Sequence, residues 1–319
     1  MNIQTYARIN RKQNPFKTKK MKHLNLILLF LVAFIFTSCN HEEFTKGGKL
    51  KLWYNEPAKV WNEALPLGNG RLGAMVYGDP VNEQIQLNEE TFWSGGPSRN
   101  DNPNAREVLP EVRQLIFEGK YNKADELINQ NMVADQLHGS MYQTIGNLNL
   151  SFPDHKNYSH YYRELDIEKA VSTTLYTVDG IEYKREVFSS IPDQLIVIRL
   201  TSSKSGMLSF TAGLNGPLEK RIQALDANTL EMTGVSGTHE GVIGRVKFNT
   251  RAKIINSGGS TDIESNKVKV SDADEVTILV SIATDFVNYK SLAANETEKC
   301  INYLKAAESK SYDDLLSDH

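Results

Sequence analysis

The stretch LPLGNGRLGAMVYGDPVNEQIQLNEETFWSGG, residues 65–96, decides the fold. Apolar residues alternate on both sides of Asn69-Gly70: Leu65 and Leu67 before it, Leu72, Ala74 and Val76 after it. An Asn-Gly pair supplies the positive-φ residues that a two-residue hairpin turn needs. Gly78-Asp79-Pro80 marks a second turn. Beyond it Ile85 and Leu87 alternate with Gln84 and Gln86, the period-2 pattern of a half-buried strand. That strand runs into Asn88-Glu89-Glu90-Thr91-Phe92-Trp93-Ser94-Gly95-Gly96. The reading is an antiparallel meander with one face in a core, ending in a loop that gathers two carboxylates, an amide and an indole.

Working outward, Leu52 to Val60 reads as a first strand, with Pro57 marking an edge or bend. Between Asp101 and Asn131 the period changes. Ala105, Val108, Leu109, Val112, Leu115 and Ile116 share one helical face, Tyr121, Ala124, Leu127 and Ile128 another, and Gly119 separates them. This predicts a helical hairpin inserted between strands and packed on a sheet edge or a neighbour. From Tyr142 strand patterns return. Asp179-Gly180 lies between alternating segments and predicts a second tight hairpin. Leu195 to Leu200 is apolar apart from Arg199 and lacks alternation, as in a strand buried on both faces. Further strands are expected over Met207 to Leu214, Leu230 to Val235, Val246 to Ile254, Val268 to Val270 and Val276 to Ala283. Many short strands joined by turns, without intervening helices, predict a mainly β fold: a large antiparallel β-sandwich with an inserted helical hairpin and a C-terminal helical linker. In the tail, Glu296 to Ala307 places Cys300, Leu304 and Ala307 on one helical face, and Tyr312, Leu315 and Leu316 repeat the pattern.

Charge divides the chain. It carries 36 basic and 39 acidic side chains, but residues 1–38 hold seven Lys or Arg and no acid, leaving 29 basic against 39 acidic, a net of −10, in the rest. Such a body is no partner for nucleic acid, which is held through phosphate by positive charge. The apolar run Leu24 to Phe36 follows Lys20 and Lys22 and ends at Thr37-Ser38-Cys39. It is shorter than the roughly 20 residues of a membrane span and has the order of a secretory signal. Small residues before Cys39 resemble the processing site of bacterial lipoproteins, which makes Cys39 the expected lipidated residue and membrane anchor. Met21 stands where such a signal normally starts, so residues 1–20 read as an upstream extension. The acidic pair Glu42-Glu43 in the tether is similar to the surface-export tag of Bacteroidetes-type lipoproteins. The expected location is the outer membrane, on the cell surface or facing the periplasm. The expected organisation is residues 1–38 as extension and signal, 39–50 as a polar tether, 51–290 as the sandwich and 291–319 as the linker.

The paired motifs PLGNGRLGAMVYG and IQLNEETFWSGGP resemble the amino-terminal domain of glycoside hydrolase family 95, the inverting α-L-fucosidases and their α-L-galactosidase relatives. The likeness continues through YRELDIEKAVSTTLYTVDGIEYKREVFSSIPDQLIVIRL (Tyr162 to Leu200) and DEVTILVSIATDF (Asp274 to Phe286). It implies a sandwich whose terminal helices lead to an (α/α)6 catalytic barrel, in cis or separately encoded, acting on fucosylated glycans. The resemblance implies that the catalytic acid and the groups positioning water belong to that barrel, so no catalytic residue is assigned to this chain. It also implies that Leu304, Leu315 and Leu316, lacking the barrel, are partly exposed.

Glu89 and Glu90 do not replace those groups, because adjacent strand residues point to opposite faces and cannot flank one glycosidic bond. Asn88, Glu90, Thr91, Trp93 and Ser94 are instead expected to form a loop that packs on the barrel and shapes the active-site rim. Trp53, Trp61 and Trp93 are either sugar-stacking platforms or core and interface anchors. His138, His155, His160 and His239 show no ligand spacing, and no metal or cofactor is expected. Cys300 is too remote in role from Cys39 to suggest a disulfide. The alternative to an enzyme domain is a stand-alone, surface-anchored glycan-binding sandwich.

Overall fold

The computed structural model describes residues 50–134 and 139–319. The expected signal, Cys39 and its tether up to Lys49, and His138, lie outside the described residues. Strand β1 (Lys51–Tyr54) is shorter than the alternation suggests. The chain leaves the sheet after Tyr54 and turns through a 3-10 segment at Trp61–Glu63. The buried Arg163 holds this excursion: its Nε donates to the Glu56 carbonyl and its Nη1 to the Glu63 carbonyl, both at 2.8 Å, with Tyr54 stacked on the guanidinium.

The opening stretch forms β2 (Leu65–Gly68), β3 (Leu72–Val76) and β4 (Asn82–Glu89), an antiparallel meander. Its first turn is shifted by one residue from the reading above. The Asn69 N–H donates to the Leu72 carbonyl, so the two central residues are Gly70 and Arg71, and only Gly70 has positive φ, at 89°. Asn69 instead closes the turn with its side chain, whose Oδ1 accepts from the N–H groups of Arg71 and Leu72. The helical hairpin follows as α1 (Ala105–Phe117) and α2 (Tyr121–Asn131). Its own contact buries Val112 and Ala124, while Phe117 and Tyr121 near its tip stand exposed.

The remaining strands are β5 (Gly146–Ser151), β6 (Ser159–Asp166), β7 (Val171–Val178), β8 (Ile181–Ser190), β9 (Leu195–Ser202) and β10 (Leu208–Asn215). After them come β11 (Lys220–Asp226), β12 (Thr229–Val235), β13 (Lys247–Ser257), β14 (Ser260–Glu264), β15 (Lys267–Ala273) and β16 (Glu275–Thr284). The turn between β7 and β8 meets its expectation: Asp179 and Gly180 both adopt positive φ, and Val178 pairs with Ile181.

All strand pairs are antiparallel and form two sheets. The nine-stranded sheet has the order β1-β6-β7-β8-β9-β16-β13-β12-β11, and the seven-stranded sheet β14-β15-β10-β5-β4-β3-β2. The facing sides meet in one core. A typical cross-strand row runs Leu65, Val76, Ile85, Leu148, Leu214, and a slip of one residue in any strand would turn its apolar set to solvent. Each fully buried Leu, Ile or Phe contributes about 1.5–3 kcal/mol.

Two helices, α3 (Glu296–Ala307) and α4 (Tyr312–Asp318), cover the outer side of the nine-stranded sheet. This corrects the expectation of an exposed tail. Leu304 and Leu315 are buried with Cys300 and Ala307, and only Leu316 stays partly buried at the margin. The physical reason lies in β9 and β16. Ile196, Ile198 and Ile278 face the inter-sheet core, while Leu195, Val197 and Leu279 point outward and need a second apolar layer, which the helices provide. Asn295 and Ser311 cap them, accepting from the backbone N–H groups of Glu298 and Asp314.

Candidate functional site

The opening motif lies at one end of the sandwich, where three loops are laced together. β4 alternates to its last residue, placing Glu89 inside at 3% exposure and leaving Glu90 outside. The adjacent carboxylates therefore serve different surroundings. The Glu89 Oε2 accepts from the Thr91 N–H at 2.8 Å and the Thr91 hydroxyl at 2.6 Å, and that hydroxyl in turn meets the Thr284 hydroxyl at the end of β16. Burial pushes the Glu89 carboxyl above the usual carboxylate range, against the pull of the Thr91 hydrogen bonds and the Arg71 charge.

Arg71, at the hairpin tip, is the joint of this end. Its Nε donates to Gln194 Oε1 at 2.6 Å, Nη1 to the Ile282 carbonyl at 2.7 Å and Nη2 to the Gln194 carbonyl at 3.1 Å. Nη1 also lies 3.5 Å from Glu89, and the Tyr303 ring of α3 stacks on the guanidinium. Asn69 adds a bond from Nδ2 to the Ser190 carbonyl at 2.8 Å. The motif thus ties the seven-stranded sheet to β8, β9 and β16 and to the terminal helices. Sequence reasoning did not single out Arg71. The available sign was a cation at a tight turn between apolar strand positions, where a solvated role needs no such constraint.

Beyond Glu89 the chain is locked to its neighbours. Ser94 is buried: its N–H donates to the Met141 carbonyl at 2.8 Å and its Oγ accepts from the Met141 N–H at 2.7 Å. The Gly95 N–H donates to the Gly237 carbonyl, the Arg245 N–H donates to Gly95, and the Arg245 guanidinium reaches the Pro97 carbonyl. Phe92, fully buried, meets Phe248 edge to face at 5.0 Å. Trp93 stays 43% exposed, its indole N–H donating to the Glu90 carbonyl at 2.8 Å and its ring against Tyr142 at 5.2 Å. Tyr142, Met141 and Ile243 extend this exposed apolar lip. Burial, with the nearby Glu89 and Glu90 carboxylates, pushes the Tyr142 phenol up.

The predicted site residues therefore separate into two groups. Glu90 and Trp93 stand on the surface, and Thr91 is half-buried above Glu89. Asn88 is half-buried on the outward face of β4, and Ser94 is internal. Trp53 lies against Tyr162, and the Trp61 indole donates to Gln86 at 2.7 Å on that same outward face. His155 sits among Phe152, Tyr176 and Tyr183, where burial and the Arg185 charge lower its pKa to about 4. The arrangement is a rigid apolar lip with one solvent-facing carboxylate.

Residues 52–289 match the family described as "Glycosyl hydrolase family 65, N-terminal domain". Among curated proteins, Alpha-L-fucosidase 2 of Arabidopsis thaliana is 31% identical over 301 residues, covering 85% of this chain and 35% of that protein. A Probable alpha-fucosidase A of Aspergillus niger is 30% identical over 292 residues, covering 84% of this chain and 36% of that protein. The chain thus spans about a third of the length of these relatives. A solved structure titled "Putative kojibiose phosphorylase from human microbiome" aligns with a TM-score of 0.49 and 11% identity, over 86% of this chain and 37% of that one. Because the family match takes in about three-quarters of its residues, the chain belongs to the glycosyl hydrolase family 65 N-terminal domains.

Proposed function

We propose that this chain is the N-terminal sandwich domain of an α-L-fucosidase of glycoside hydrolase family 95. In this reading it acts in hydrolysis of α-L-fucosyl linkages, with the acid and base supplied by a catalytic domain outside it. The observation that carries the reading is the similarity to two α-fucosidases over 84–85% of the chain. The apex fits it chemically. Inversion needs two carboxyl groups about 6.5–9.5 Å apart across a sugar, and at this apex Glu89 is internal while Glu90 faces outward. Glu90, Trp93 and Tyr142 then serve as a preformed rim for the catalytic domain, held by the lacing through Ser94, Gly95 and Arg71.

The test is fucose release from 2′-fucosyllactose by this chain alone and by the polypeptide extended with the coding sequence following His319. The chain alone is expected to be inactive. The extended protein is expected to turn over, with kcat/KM lowered about 10-fold by Trp93→Ala through lost rim packing. Hydrolysis by the isolated chain that Glu90→Gln abolishes overturns the reading, as does an extension bearing no glycosidase. Export through lipidation of Cys39 belongs to the same proposal, from the apolar run and the small residues before it. Palmitate labelling that survives Cys39→Ser refutes it.

A further inference from the structure

The outward side of the seven-stranded sheet carries a composition that neither the core nor the apex uses. Along β4 its outward residues are Asn82, Gln84, Gln86 and Asn88, alternating with buried Glu83, Ile85, Leu87 and Glu89. Along β5 they are Asn147, Asn149 and Ser151. The register aligns them into cross-strand rows that continue onto β10. Gln86 faces Asn147, which faces Asn215; Gln84 faces Asn149, which faces Gly213; and Asn82 faces Ser151, which faces Thr211. Within β4, β5 and β10 these rows hold no charge; they end on β15 at Lys267, whose side chain lies across Gly213, and at Lys269, and these two stand opposite Glu264 and Asp262 of β14.

Amides are a poor choice for a strand that only needs solubility. Asn is depleted in strands, where Thr and other β-branched residues fit the pleated surface better. Repeating Asn and Gln along two adjacent strands gives up local preference, and such departures concentrate at functional surfaces. The face does not consume its own hydrogen-bonding capacity. Asn147 donates to Asn215 at 2.7 Å and Ser151 to Asn82 at 3.2 Å, but among the described residues the side-chain amides of Gln84 and Asn149 have no partner. Beside the rows, Gln86 accepts from the indole N–H of Trp61, which holds that ring 53% exposed.

We infer that this face is a binding surface for a neutral oligosaccharide. A carboxamide presents two donors and an acceptor in one plane and pairs with vicinal hydroxyls without a charge to desolvate. The Trp61 ring offers an apolar face for the C–H side of a pyranose. Charge complementarity selects the occupant. A polyanion, whether nucleic acid or acidic glycan, requires an excess of cations, and the two that border these rows, Lys267 and Lys269, are matched across the register by Glu264 and Asp262. A protein partner requires an apolar interface centre, whereas the rows present amides and hydroxyls with Met75 only at their β3 margin. Rows spaced about 5 Å across the strands and about 7 Å along them form a flat area on the scale of several sugar rings. The inference does not rest on the fucosidase reading, since the face lies on β4, β5 and β10 and uses none of the rim residues Glu90, Trp93 or Tyr142.

The test is a 15N-detected titration of the full chain with 2′-fucosyllactose and, as a longer neutral chain, maltoheptaose. Saturable shifts are expected with at least one sugar in the side-chain NH2 resonances of Gln84, Gln86, Asn147 and Asn149 and in the Trp61 indole N–H. Asn149→Asp is expected to weaken binding about 10-fold, by removing a donor pair and adding a charge, and Gln84→Ala by a smaller factor. The proposal is overturned if neither sugar gives saturable shifts, or if the shifts centre on Trp93 and Tyr142. It is overturned equally if both variants, with native circular dichroism, bind as tightly as the unaltered chain.

Discussion

Replacing Arg71 with Ala tests whether the hairpin tip is the joint that holds the apex. The guanidinium makes three hydrogen bonds, to Gln194 Oε1, the Gln194 carbonyl and the Ile282 carbonyl, and lies 3.5 Å from Glu89. The half-exposed Gln194 recovers its bonds from water once the side chain is gone. The Ile282 carbonyl and the buried Glu89 do not. Losing a charged donor to a buried acceptor costs about 1.5–3 kcal/mol, and a buried carboxylate stripped of its cation adds to that, so the expected loss at neutral pH is about 3–4 kcal/mol. For a domain of this size that is a fall in Tm of about 8 °C. The loss depends on pH with a definite sign. Glu89 is already held above its ordinary value of 4.5, and removing Arg71 takes away one of the groups that lowers it. A carboxyl whose folded pKa is raised binds its proton more readily in the native state. Stability is therefore fullest below about pH 4.5 and declines as pH rises through the folded value. Urea unfolding at pH 7.5 and pH 5, followed by circular dichroism, should show a loss about half as large at pH 5. Adding Glu89→Gln to Arg71→Ala should restore about 1–2 kcal/mol at pH 7.5 by removing the stranded charge. A loss below about 1 kcal/mol at pH 7.5, or an equal loss at both pH values, refutes the reasoning.

Leu315→Ala, deleting a fully buried contact of α4, should cost about 2–4 kcal/mol. Hydrogen exchange should report that loss as opening of residues 312–318 ahead of the inter-sheet core, and uniform loss of protection would count against separate docking of this helix. His155 has a folded pKa of about 4 against an ordinary 6.5, so the unfolded chain binds the extra proton between those values and stability falls as pH drops through that window. His155→Phe should flatten this acid limb, worth at most about 3 kcal/mol, in unfolding measured from pH 7 to pH 4. An unchanged slope sinks the assignment.

Much of this fold was legible because the patterns are local. Asp179-Gly180 declares its hairpin through two residues that tolerate positive φ. Leu195 to Ile198 declares burial on both faces through lack of alternation. Of the strands not named individually from the sequence, β5 and β6 are internal, while β11 and β14 are sheet edges whose KRIQALD and STDIE sequences bury little, Ile222 and Ala224 of β11 packing only partly on the core. The overlong first strand came from Ala58 and Val60, apolar residues in phase with Leu52 and Tyr54 that continue the alternation after the backbone has left the sheet, and Val60 is exposed. At the apex, alternation alone separated Glu89 from Glu90. The position of Arg71 at a tight turn was legible but its partners were not, since Gln194 and Ile282 lie 123 and 211 residues away in sequence. Ser94 looks like a surface loop residue until the strand-like bridge between Trp93 and Tyr142 closes over it.

The two sheets explain why this sandwich has sides of different character. β9 and β16 are apolar outward as well as inward, so the nine-stranded sheet is unstable without a cover, and α3 and α4 supply it. That fixes the terminal helices to the sheet before any further domain is considered. β4 and β5 are apolar only inward, so the seven-stranded sheet needs no cover, and its outward amide rows are free to be chosen for another purpose. The apex differs from both: its backbone is saturated by cross-loop hydrogen bonds, yet it leaves Trp93, Tyr142, Met141 and Ile243 at the surface. Cross-loop bonding on that scale restrains these side chains before any partner arrives, which lowers the ordering cost of a contact made there. A glycan meeting the amide rows and a protein domain meeting the apex would then engage separate surfaces of one rigid body. On this geometry the two kinds of binding are independent, and Asn149→Asp should leave any rim-dependent activity unaltered.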